Sequence, residues 1–116
     1  MNDLLTIRDT VSTATTRTLT TTVQSVKTTQ AKFYGYKIEN PNTGVAWVQV
    51  FYRPNTEVIL GTTAPDFTIK VGDNGNAAWD FNWPIDAPLG LSIAATTEET
   101  GSTAPTSNLS AVIFFR

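Results

Sequence analysis

From residue 31 to the end, this chain cannot run far without meeting a turn residue. Gly, Pro or Asn-Gly signals recur about every 8 to 12 residues, a spacing that suits short strands and leaves little room for ordinary helices. Strands are expected near Lys32–Glu39, Val45–Tyr52, Glu57–Leu60, Asp66–Val71, Ala77–Asn82, Gly90–Thr96 and Ser110–Arg116. The fold predicted is all-β: an antiparallel β-sandwich, Ig-like or jelly-roll-like, of about seven strands over residues 31–116. Heavy use of Thr agrees, because β-branched side chains fit a pleated surface and lose rotamer freedom in helices.

The turns have mechanisms. Asn40-Pro41-Asn42-Thr43-Gly44 couples a proline of fixed φ to a glycine able to take positive φ. Asp73-Asn74-Gly75-Asn76 carries the Asn-Gly pair favoured in type I′ hairpins, so antiparallel pairing of its flanking strands is expected. Phe67, Ile69 and Val71 alternate with Thr68 and Lys70, and Trp79, Phe81 and Trp83 alternate with Asp80 and Asn82. The expected core sets Trp79 and Phe81 against Ile69, Val71, Leu91 and Ile93. Val45–Tyr52 and Ala111–Phe115 are apolar on both faces, which requires that both faces be covered or that one be an interface.

Residues 1–30 obey a different regime, with no Gly, Pro or aromatic residue. Thr and Ser dominate, and apolar residues are thinly spread at Leu4, Leu5, Ile7, Val11, Leu19, Val23 and Val26. Such a segment cannot bury enough apolar surface to fold by itself. It reads as an extended N-terminal arm, with a disordered tail as the bland alternative and a short helix over Leu4, Ile7 and Val11 as another. The seven apolar residues are its candidate contacts with another subunit, and Leu19, Val23 and Val26 are expected to pair as a strand on a neighbour's sheet.

Composition removes several functions. The chain of 116 residues has a formal net charge of −2, too little and of the wrong sign to hold a phosphate backbone. There is neither His nor Cys, which removes the usual general base, the activated thiolate and the commonest metal ligands. No G-x-S-x-G and no phosphate-cradling G-x-x-x-x-G-K is present. The chain is therefore read as a non-enzyme with no cofactor and no metal. Asp66, Asp73, Asp80, Asp86, Glu98 and Glu99 lack the spacing of a Ca²⁺ loop or a catalytic pair and are expected on solvated turns and faces. Tyr34, Tyr36, Trp47, Tyr52, Trp79 and Trp83 are expected in core and interface, with a sugar-stacking platform as the alternative. No apolar run approaches the length of a membrane span, and the N-terminus lacks the basic and apolar regions of a secretion signal.

Gly61-Thr62-Thr63-Ala64-Pro65-Asp66-Phe67-Thr68-Ile69-Lys70-Val71, Gly90-Leu91-Ser92-Ile93-Ala94-Ala95-Thr96-Thr97 and Thr100-Gly101-Ser102-Thr103-Ala104-Pro105 resemble small β-sandwich domains of virion proteins from tailed bacteriophages. The resemblance covers residues 31–116 and rests on turn motifs. Within that group, a short free-standing chain with an N-terminal arm looks like a capsid cement, or decoration, protein. A chain running from Met1 and ending inside a strand at Arg116 is expected to leave no room for a fibre shaft, which favours cement over receptor binding. The resemblance implies a virion protein on the outer surface of the capsid, made in the host cytoplasm and bound across subunits of the major capsid protein. Exchange of the arm between copies most simply gives a two-fold, domain-swapped homodimer, with a threefold assembly at capsid junctions as the second expectation. The alternative is a carbohydrate- or receptor-binding module of a tail or host-surface adhesin.

Overall fold

A computed structural model describes residues 12–116. Strands β1 (Thr13–Leu19), β2 (Gln24–Lys27), β3 (Ala31–Glu39), β4 (Ala46–Phe51), β5 (Phe67–Val71), β6 (Asn76–Ala87), β7 (Leu91–Thr96) and β8 (Leu109–Phe115) form, with a 3₁₀ turn at Asn55–Glu57. They build two four-stranded antiparallel sheets, a front sheet ordered β1-β8-β3-β6 and a back sheet ordered β2-β7-β4-β5. Every connection except β4 to β5 passes from one sheet to the other, which is jelly-roll winding. The sandwich is the expected one, with eight strands instead of about seven.

The extra strand count comes from the supposed arm, whose boundary near residue 30 the structure does not support. Thr13–Leu19 pairs with β8 of the same chain, setting Leu19 opposite Leu109, and Gln24–Lys27 pairs with β7. Leu19 and Val26 are buried in the chain's own core. The expectation failed because it asked residues 1–30 to supply a core of their own. Two apolar anchors are enough when later strands supply the rest, and Thr is a good strand former on an exposed edge.

Two further expectations need correction. The Asn-Gly turn does not close a hairpin: β5 lies in the back sheet and β6 in the front sheet, so the turn carries the chain around a corner. Asn40–Gly44 turns the neighbouring corner, and buried Asn40 ties the two together. Its Nδ2 donates to the carbonyls of Gly44, Val71 and Gly72 at 3.0, 3.3 and 3.0 Å, and its backbone N–H donates to Gly75 at 2.9 Å. Glu57–Leu60 is not a strand. Pro54 opens a 3₁₀ turn there, held by a backbone hydrogen bond from Val58 to Asn55 and by Asn55 donating to Ser25 Oγ.

Between the sheets lie Phe33, Ile38, Val48, Val50, Ile69, Val71, Leu91, Ile93, Leu109 and Ile113. Phe33, Tyr36, Phe67 and Phe81 form a mutual ring cluster on the side where β6 faces β5, with centroids 5.1 to 6.3 Å apart in tilted and edge-to-face geometries. Of the expected core, Ile69, Val71, Leu91 and Ile93 are buried and Phe81 packs against the cluster from its margin. Trp79 is not core. It sits opposite Tyr36 but is 62% exposed, because β6 is an edge strand with no neighbour on its other side among the described residues.

Beyond Asp80, β6 slips out of register with β3, which goes from Phe33 opposite Ile85 to Gly35 opposite Asp80. Glycine is required at that step, since a Cβ on Gly35 would lie 2.5 Å from the Trp79 carbonyl oxygen. The displaced stretch carries Trp83, 85% exposed, and Pro84.

Candidate interaction surface

The outer faces of the two sheets differ. On the back sheet, Gln49 and Phe51 of β4 and Ser92, Ala94 and Thr96 of β7 point away from the core, yet all are buried. Two long connections cover them. Ser92 Oγ donates to the Arg53 carbonyl at 2.8 Å in the 52–66 connection, and Gln49 Nε2 donates to Thr96 Oγ1 and the Gly101 carbonyl, both at 2.9 Å, in and beside the 97–108 connection. The connections meet where Gly61 approaches Ser102. This accounts for Val45–Tyr52 being apolar on both faces.

The front sheet has no such lid among the described residues. Val112 and Phe114 of β8 are half-buried on its outer side, and a shallow groove of about 440 Å³ runs past Phe114, Lys37, Ala78 and Asp80. Sequence reasoning placed Trp79 in the core by alternation, and read Trp83 only as one of a core-or-interface set with a sugar platform as the alternative; both rings are on the surface. The available signal was Pro84, since proline inside an apolar run marks an edge strand or a bulge.

The six aromatic residues named from the sequence do not share one face. Tyr34 is half-buried on β3, Tyr36 and Tyr52 pack against the core, Trp47 is half-buried on the back sheet opposite Lys70 and Thr96, and Trp79 and Trp83 stand on β6 of the front sheet. Burial raises the Tyr36 phenol above its ordinary pKa, and burial followed by the nearby Asp66 charge does the same for Tyr52.

The carboxylates are scattered and locally engaged. Asp66 accepts the Tyr52 backbone N–H at 2.7 Å, Asp73 accepts Asn74 Nδ2 at 2.9 Å, and Glu99 accepts Thr68 Oγ1 at 2.9 Å. Asp86 pairs with Lys32 at 2.7 Å, and this hydrogen bond, then its charge, raises the lysine pKa. Glu98 accepts the Thr103 backbone N–H at 3.2 Å, and hydrogen bonding from Thr103 lowers its pKa. Among the described residues no group of His, Cys, Asp or Glu could hold a metal ion, and no helix is long and apolar enough to cross a membrane.

The structure scatters the expected subunit contacts. Leu19 and Val26 are core, Val23 lies half-buried in the β1–β2 connection, and Leu4, Leu5, Ile7 and Val11 lie outside the described residues.

No protein-family model matches the chain, and no curated protein matches it. Among solved structures, the chain is similar to a protein of Bacillus endospore appendages, described as a family of disulfide-linked pili, at 15% identity and a TM-score of 0.40, over 89% of this chain and 82% of that one. A likeness this slight carries no property of the appendage across.

Proposed function

We propose that this chain is a structural virion protein, a capsid cement protein that binds across subunits of the major capsid protein from outside and stabilises the head. The observation that supports it best is the placement of the two exposed tryptophans. Trp79 and Trp83 both stand on β6, at one margin of a front sheet whose outer side has no lid among the described residues. Exposed tryptophans set among polar residues are the side chains that anchor protein interfaces. The phage-sandwich resemblance points the same way.

The reading is tested by mixing purified chain with empty heads of its phage and sedimenting them. Many copies should travel with each head, and Trp79→Ala or Trp83→Ala should weaken binding by about tenfold or more while the melting temperature stays within a degree or two. Association with tails in few copies, or head binding that ignores both tryptophans, would reject it.

A second reading has its own support. Trp79 and Trp83 are both exposed on one strand, and exposed aromatic rings can stack against a sugar. The chain would then be a carbohydrate-binding module of a tail or adhesin. Glycan-dependent quenching of tryptophan emission, abolished in Trp83→Ala, distinguishes it from cement.

A further inference from the structure

We propose that two copies of this chain join edge to edge through the first half of β6, Asn76–Asp80 of one lying antiparallel to Asn76–Asp80 of the other with the two-fold axis at Ala78. The pairing covers Trp79 and leaves Trp83 exposed, so in the dimer Trp83 is the ring left to meet a head, and Trp79→Ala would act on head binding through loss of the dimer.

The inference starts from the four sheet margins. An open edge is a template for another chain, and folded proteins blunt such edges with inward-pointing charges, lysines, prolines, bulges or very short strands. At β1, Arg17 pairs in register with buried Ala111 and turns its side chain to Thr15 Oγ1 and Gln24 Oε1, so a charge points to the inner side. β2 has four residues and an irregularity between Ser25 and Lys27. β5 has five residues and an exposed Lys70. The far half of β6 is interrupted by a register shift against β3 between Asp80 and Ile85 and carries Pro84. Asn76–Asp80 has none of these devices. It is in regular register with β3 through Asp80, and among the described residues no strand pairs with its other margin.

The second argument is self-complementarity. Residues alternate across the sheet, so Asn76, Ala78 and Asp80 share the outer face while Ala77 and Trp79 share the inner one. With the axis at Ala78, Asn76 of one copy stands opposite the partner's Asp80, an amide donor facing a carboxylate acceptor, twice over. Trp79 stands opposite the partner's Ala77, so each large ring covers a small residue, and Ala78 meets its own copy. No like charges oppose each other. Cross-strand pairs of this kind are what stabilise antiparallel partners, and the 62% exposed Trp79 ring would lose water in the process. The product is a continuous eight-stranded sheet with closed two-fold symmetry, the commonest form of assembly.

The chain has no cysteine, so an introduced thiol reports a single position. Directly opposed strand residues have Cα atoms about 4.5 to 5.5 Å apart, within the span a disulfide bridges. In the full-length protein, Ala78→Cys should give a covalent dimer under mild oxidation, while Thr16→Cys on the outer face of β1 should form no covalent cross-link. By sedimentation, the parent should be a dimer, and Ala78→Lys should weaken association by about tenfold or more. Should the lysine variant fail to fold, the cysteine pair decides alone. A monomeric parent, a cross-link at Thr16 but none at Ala78, or an unchanged dimer in a folded Ala78→Lys would overturn the proposal.

Discussion

β4 and β8 both carry apolar residues on both of their faces, yet they end in opposite circumstances. The outer side of β4 is sealed beneath two connections, whereas the outer side of β8 keeps Val112 and Phe114 only half-buried. A two-faced apolar strand therefore states a need for cover without saying who provides it. In the back sheet the chain meets that need with its own loops. In the front sheet the described residues do not, and the surface is left for contact.

The contrast can be broken most forcefully by placing the same charge on each outer face. Ala94→Asp puts a carboxylate beneath the lid of the back sheet with no partner, and should cost about 3 kcal/mol or more in urea unfolding. Ala14→Asp, on the exposed outer side of β1, should stay within about 0.5 kcal/mol of the parent. If the two variants unfold together, the lid over the back sheet is not a seal.

A smaller effect is expected at Gln49. Gln49→Ala removes the amide that reaches the Thr96 hydroxyl and the Gly101 carbonyl, leaving buried acceptors without that donor, at a cost of about 1 to 3 kcal/mol. Limited proteolysis should then cut first within residues 97–108. Cleavage elsewhere, with that connection still protected, would mean the amide does not hold it down.

The smallest effect concerns pH. The Glu98 carboxyl is held below the ordinary value by the Thr103 hydrogen bonds, so the stabilisation it gives is complete above the ordinary carboxylate range and fades as pH falls through its lowered value. Glu98 is exposed, so the change should appear as faster exchange of the Thr103 amide in acid, with little movement of the global melt. Acid-independent exchange relative to neighbouring amides would remove Glu98 from the fastening.

The later strands were legible because their turn residues and alternation agree. β3, β4, β5, β7 and β8 fall within a residue or two of where pattern and punctuation put them. Less visible was which sheet each strand joins, because Asn74-Gly75 turns equally well within a hairpin or around a corner, and it is the placing of β5 and β6 in different sheets, fastened by the buried Asn40 amide, that makes it a corner. β1 and β2 were hidden by composition, since Leu19 and Val26 look too sparse until the core supplied by other strands is present. Trp79 was misread because alternation reports a face, while exposure depends also on whether the strand is central or at an edge.

Pairing β1 with β8 has a consequence for how the molecule is made. Leu19 must find Leu109, 109 − 19 = 90 positions later, so the front sheet cannot be completed until nearly the whole chain exists. At roughly 5 to 20 residues per second of synthesis, β1 waits several seconds for its partner. Sequence-distant pairing of this kind also slows folding and prolongs exposure of unfinished sheet. A threonine-rich strand with a single buried leucine offers little for other nascent chains to stick to during that delay. The polar composition that makes β1 look like a tail is also what lets it wait in water without aggregating.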